Sequence, residues 1–161
     1  MKKLFTALCF VLVASLSCLA QETYTWKKEN IKVTFPAGMK VVDDDGDGRI
    51  TVKSDNAVLQ LEASLNPALD DDDKSSALIV KLANNIDLNL DEYESEDFDC
   101  ADGSGAGFYI IGDHKKFEKM CLVSIARSNT EEGRFMLTVA IFDDDAAKSV
   151  GQVLGSISFL D

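Results

Sequence analysis

Arg134-Phe-Met-Leu-Thr-Val-Ala-Ile-Phe142 is apolar in both of its alternating sets, Phe135, Leu137, Val139 and Ile141 in one, Met136, Ala140 and Phe142 in the other. Successive side chains of a strand point to opposite faces of a sheet, so a strand apolar on both faces must be covered on both. The preceding strand, 119–127, has the same character around Cys121, Val123 and Ile125. Two segments have the period to supply cover. In 74–87, Leu78, Leu82 and Ile86 recur every four residues, and Ile79 and Ala83 widen the stripe. In 144–154, Ala147, Val150, Val153 and Leu154 form a second stripe. Each begins at an aspartate run, Asp70 to Asp73 and Asp143 to Asp145, where carboxylates oppose the positive end of the helix dipole and cap its free amides. The fold class expected is α+β: an antiparallel-rich sheet with helices on both faces, an α/β/α sandwich.

Working outward, the remaining segments read as strands. In 24–35, alternation at Ile31, Val33 and Phe35 marks a half-buried strand that stops at Pro36-Ala37-Gly38. The rings of Tyr24 and Trp26 are expected to tuck against the core. Segments 39–42 and 49–53 flank Asp-Gly-Asp-Gly, which is hairpin chemistry. Ala57, Leu59, Leu61 and Ala63 alternate with Gln60 and Glu62, giving a strand with one wet face. Strands at 93–100 and 108–112 follow, then the loop 101–107 and a turn at 113–116, and a short strand at 157–159 closes the chain.

The N-terminus carries export features. Lys2 and Lys3 precede the apolar stretch 4–16, and Cys18-Leu19-Ala20 places small residues at the −3 and −1 positions before Gln21. Residues 1–20 therefore read as a cleavable signal peptide, and 21–161 as one acidic α+β domain, periplasmic or secreted, with no membrane span after processing. The alternative is a lipoprotein anchored through Cys18, which follows the small Ser17 but has Ser15 where the lipoprotein pattern places Leu. Lys2 and Lys3 leave with the leader, so 14 of the 16 Lys+Arg remain against all 28 Asp+Glu, a net charge of −14. Such a surface repels nucleic acid and anionic lipid and attracts cations and basic proteins. Processing also removes Cys9 and Cys18. Cys100 and Cys121 remain as a possible disulfide or as two buried free thiols, and bonding requires Cα atoms within about 7 Å.

The order of elements resembles a known family. Phe35-Pro36-Ala37-Gly38-Met39 is similar to the Phe-Pro-x-Gly turn of the photosystem PsbP proteins and their relatives, among them nuclear import factors and bacterial periplasmic or lipoprotein domains. A hairpin, a strand, a helix, an antiparallel meander and a final helix follow, and 150–159 end in a Ser-x-Phe-like segment at Ser156, Ser158 and Phe159. The likeness spans nearly all of 21–161. It implies the PsbP-like α/β/α sandwich and a non-enzymatic adaptor or binding module, and it carries over no functional residue.

The sharpest local motif is Asp43-Asp44-Asp45-Gly46-Asp47-Gly48-Arg49-Ile50, which matches the first eight positions of an EF-hand loop, with Asp43, Asp45 and Asp47 as calcium donors and Gly48 at the bend. The twelfth position, normally a bidentate Glu, is Ser54, and no helical pattern flanks the loop. Solvated aspartates in a hairpin turn are the competing reading. His114 is expected to be exposed in a turn beside Lys115 and Lys116, without a fixed partner for acid-base work. Gly103-Ser104-Gly105-Ala106-Gly107 fits neither G-x-G-x-x-G nor G-x-S-x-G. Glu94 with Glu96, and Asp97 with Asp99, are expected to line a wet strand. The first functional reading is an exported, non-catalytic binding or accessory domain contacting a protein or small ligand, a cation by preference, through its acidic face or a cleft beside the sheet. No cofactor is implied by that reading. A calcium-binding module is the second, and an enzyme with no recognisable motif the third.

Overall fold

The computed structural model describes residues 21–161. The leader reading and Cys18 fall outside them. Two antiparallel sheets form. β1 (Glu22–Trp26), β2 (Ile31–Phe35) and β10 (Ser158–Phe159) make a small one in the order β1-β2-β10. The other seven strands are β3 (Lys40–Asp44), β4 (Arg49–Lys53), β5 (Ala57–Leu65), β6 (Leu88–Asp99), β7 (Gly105–His114), β8 (Met120–Ser128) and β9 (Arg134–Phe142), in the order β3-β4-β5-β9-β8-β7-β6. The helices are α1 (Asp72–Asn85) and α2 (Ala147–Gly155).

The two apolar sets of β9 separate as their alternation requires. Phe135 and Leu137 join Ile79 and Ala83 of α1, with Leu88, Ile110, Val123 and Ile125, in one cluster, and Val139 and Ile141 pack against it. Met136, Ala140 and Phe142 face the other way, onto Val150, Val153 and Leu154 of α2 and onto Trp26, Ile31, Val33 and Phe35. The large sheet thus lies between α1 on one face and α2 with the small sheet on the other.

That arrangement corrects one expectation. Segment 24–35, read as a single strand, is a hairpin: residues 27–30 turn, and Asn30 adopts φ 52, a left-handed conformation that Asn tolerates. Its two strands and the short final strand form a sheet of their own instead of extending the large one. The Ser156 hydroxyl donates to the Thr34 carbonyl at 2.9 Å and accepts from its amide at 3.0 Å, which seats the chain end beside β2. Trp26 is buried, as its position in the first strand implied.

α1 starts on its aspartates, whereas α2 starts after its run, at Ala147, with Ala146 as N-cap and no side-chain cap bond. Asp71 caps α1 by accepting the Lys74 amide at 3.1 Å, and this bond, the largest cause, holds its carboxyl below the usual range. Asp143 precedes a 3-10 turn, Asp144–Ala146, that leads into α2. Among the described residues no helix is long and apolar enough to cross a membrane.

Candidate functional site

An open concavity lies at the end of the sheet where β7 stops and β9 runs into the turn before α2. It is an open cleft of about 690 Å³ lined by Asp113, His114, Phe117, Glu118, Lys119, Asp143, Asp144 and Asp145. Five of those residues are carboxylates. The one lysine among them donates to Asp143, so part of its charge is already spent inside the molecule. Asn56 donates to Asp145 at 2.8 Å, which fixes that carboxylate to the loop before β5. Phe117 lines it 65% exposed, and its ring centroid lies 4.7 Å from that of His114.

His114 departs from expectation. It closes β7 opposite Leu88 and is only 8% exposed. Strand pairing runs two residues further than the sequence pattern suggested, and Phe117 stacks on the ring. The Lys116 amide donates to His114 Nδ1 at 3.0 Å, which leaves Nε2 to carry the proton of the neutral ring. Beside it, Lys116 donates to Asp87 at 2.7 Å and lowers that carboxyl's pKa, tying the turn after β7 to the end of α1. Nothing in the sequence joined 113–119 to 143–145, because their meeting requires β7, β8 and β9 to lie side by side.

The EF-hand-like segment folds as a hairpin turn. Asp43 and Asp44 belong to β3, opposite Thr51 and Ile50, and 45–48 connect β3 to β4. Asp45 accepts from the amides of Asp47 at 2.9 Å and Arg49 at 3.0 Å, and Asp44 accepts from that of Gly46 at 2.9 Å. Tyr24 donates its phenol to Asp44, which pushes the Tyr24 pKa up to about 12 and lowers that of Asp44. Trp26 Nε1 donates to the Gly48 carbonyl at 2.8 Å. Gly48 has φ 105, and a Cβ there would lie 2.7 Å from the Ala63 carbonyl oxygen, so only glycine fits. Among the described residues no group of three or more His, Cys, Asp or Glu is placed to hold a metal ion.

The possible Cys100–Cys121 disulfide is not formed. Both thiols are free and buried, Cys100 in the cluster under α2 and Cys121 in the cluster under α1, on opposite faces of the sheet. Burial is the main cause that pushes their pKa values up to about 12 and about 11, so neither is a nucleophilic thiolate at neutral pH. The expected wet carboxylates are present: Glu94, Glu96, Asp97 and Asp99 of β6 are exposed, and Glu96 accepts from the Tyr109 hydroxyl at 2.7 Å.

With this geometry in place, the chain can be set beside known proteins. No family model and no curated protein matches it. Solved structures do, and the solution structure of cyanobacterial PsbP from Synechocystis sp. PCC 6803 aligns with a TM-score of 0.57 at 16% identity, covering 93% of this chain and 98% of that one. The fold is PsbP-like. The crystal structure of the Ran-binding protein Mog1p of Saccharomyces cerevisiae aligns with a TM-score of 0.55 at 8% identity over 89% of this chain and 97% of its own. A mutant of Mog1 aligns with a TM-score of 0.51 at 9% identity over 84% and 86%. At such identities the shared property is the PsbP-like fold itself, and its neighbours lend this chain no site residue.

Proposed function

We propose that this chain is an exported, non-catalytic accessory domain that holds a cationic partner or ligand in the acidic cleft at the end of its sheet. The observation that carries the reading is the cleft: five carboxylates around an exposed Phe117, with Lys119 already paired to Asp143. A cation entering it meets negative charge beside an aromatic face, two attractions that act together on ammonium and guanidinium groups. A binding role agrees with a neighbour of the same fold being a Ran-binding protein. Export rests on residues 1–20, and an N-terminus at Gln21 in protein recovered from the native envelope would support it, whereas a lipid-modified Cys18 would favour the anchored form.

Spermidine titrated into the 21–161 protein tests the cleft. Binding is expected at low ionic strength, weakening as salt is raised, and Phe117→Ala and Asp144→Asn should each weaken it. Absence of heat at millimolar spermidine in dilute buffer would sink the reading.

A further inference from the structure

Beyond the cleft, the structure holds one long unpaired edge. β6 runs for 12 residues and pairs only with β7, at Leu88 opposite His114 and, past a register shift, from Tyr93 opposite Gly112 to Asp99 opposite Ala106. Among the described residues no strand or loop hydrogen-bonds to the other side of that paired stretch. Its residues 91–97 are all exposed. Charge is segregated here as nowhere else: residues 82–114 hold nine Asp or Glu and no Lys or Arg. The acids stand on both faces of the strand. Glu94 and Glu96 alternate with Phe98 on the α2 side, while Asp97 and Asp99 lie on the α1 side.

We infer that β6 is a docking edge for an extended basic segment of a partner protein, which adds to the large sheet as an eighth strand. Three physical facts select that occupant. An open edge offers a row of backbone donors and acceptors that only another extended chain can satisfy in series. Residues directly opposite on neighbouring strands sit about 5 Å apart, where opposite charges attract and like charges repel. A second copy of β6 would set carboxylates against carboxylates, so the edge rejects itself, while a strand carrying Lys or Arg on both faces meets an acid on each. The inference rests on the binding role proposed above but assigns it a second, separate surface.

The test uses the 21–161 protein and the nine-residue peptide Lys-Lys-Val-Val-Lys-Lys-Val-Val-Lys, which as a strand carries Lys on both faces, followed by fluorescence anisotropy. A second peptide has the same sequence with alternate backbone amides N-methylated, which keeps its charge but prevents a ladder. The expected result is salt-sensitive binding of the first peptide and about tenfold weaker binding of the second. The triple variant Glu94→Gln, Glu96→Gln, Asp97→Asn should cost a further factor of about ten, whereas in Phe117→Ala and Asp144→Asn, which weaken the hold of the cleft on any cation, the roughly tenfold gap between the two peptides should persist. New protection of β6 amides from hydrogen exchange on peptide binding would support strand addition directly. Equal binding of both peptides, loss of binding in the cleft variants alone, or no binding at low salt would each overturn the inference. The spermidine titration stands apart from these outcomes, so the edge can fail while the cleft holds, and the reverse. Circular dichroism of the triple variant separates lost affinity from lost fold.

Discussion

At one edge of the seven-stranded sheet β3 runs for 5 residues, its register slips between Val41 and Asp43, and the turn that follows is clasped by Tyr24 and Trp26. At the other edge β6 runs for 12 residues with no such clasp. Shortness, a bulge and side-chain cover are ordinary ways to close an edge to further pairing. β6 has a register shift of its own between Leu88 and Tyr93, but its regularly paired stretch from Tyr93 to Asp99 is guarded by charge alone, and charge discriminates between partners where steric blocking does not. The contrast locates the side of the molecule on which another chain can add.

The harshest way to break the comparison is to remove what both edges hang from. Phe142 is fully buried beneath α2, and Phe142→Ala is expected to cost about 3–5 kcal/mol. Urea denaturation should show both edges melting in one transition. A change at the β6–β7 pairing comes next. Gly107 lies under the Phe98 ring, and a Cβ there would sit 2.7 Å from Phe98 Cζ and 2.4 Å from the Ile125 carbonyl oxygen. Gly107→Ala should therefore cost about 1–3 kcal/mol and speed hydrogen exchange in β6 and β7 while β3 and β4 keep their protection.

The β3 edge is tested through its clasp, with a smaller effect. Tyr24 has its pKa raised from 10.0 to about 12, chiefly by the hydrogen bond to Asp44. A raised folded-state pKa means stability that is complete below pH 10 and lost as pH rises through 12. Tyr24→Phe should flatten that alkaline fall, leaving the share due to Tyr109, which burial and Glu96 also raise. Stability against urea measured from pH 8 to 12 in both proteins decides it.

The charge guard is sharpened by its removal. Glu94→Gln, Glu96→Gln, Asp97→Asn is expected to change stability by about 0.5 kcal/mol or less, because all three positions are exposed. The same variant should associate at high concentration by sedimentation, and neutralising Asp43 and Asp44, the two carboxylates of β3, should not. The least effect is expected from calcium. With Asp45 occupied by two backbone amides and Asp44 by Tyr24, millimolar calcium should give little heat and leave thermal stability unmoved.

How far the fold was legible follows from particular residues. The two apolar sets of β9 announced a covered sheet, and the stripes of 74–87 and 144–154 announced its helices, because each signal lies within a dozen residues and needs no knowledge of the rest of the chain. The turn at 45–48 was legible as a hairpin for the same reason. The split of 24–35 was not. Lys27, Lys28 and Glu29 break no period strongly, and the turn is decided by Asn30 and by burial of Trp26 against the large sheet. His114 misled because strand length depends on the neighbour: β7 extends as far as its partners on either side allow. The cleft left only fragments in the sequence, an aspartate run at 143–145 that looked like a helix start and an isolated Phe117 in a polar turn.

Alone, the amino-acid order determined the layered α+β architecture, the two helices and the acidity of the surface, since periodicity and charge are properties of neighbouring residues. Tertiary structure decided that Cys100 and Cys121 lie on opposite faces, that the first and last strands form their own small sheet, that the acids of 113–118 and 143–145 converge, and that β6 ends the sheet. Those outcomes depend on strand order, and strand order is settled by the free energy of burying both faces of β8 and β9 at once, a sum over the whole chain that no local stretch contains.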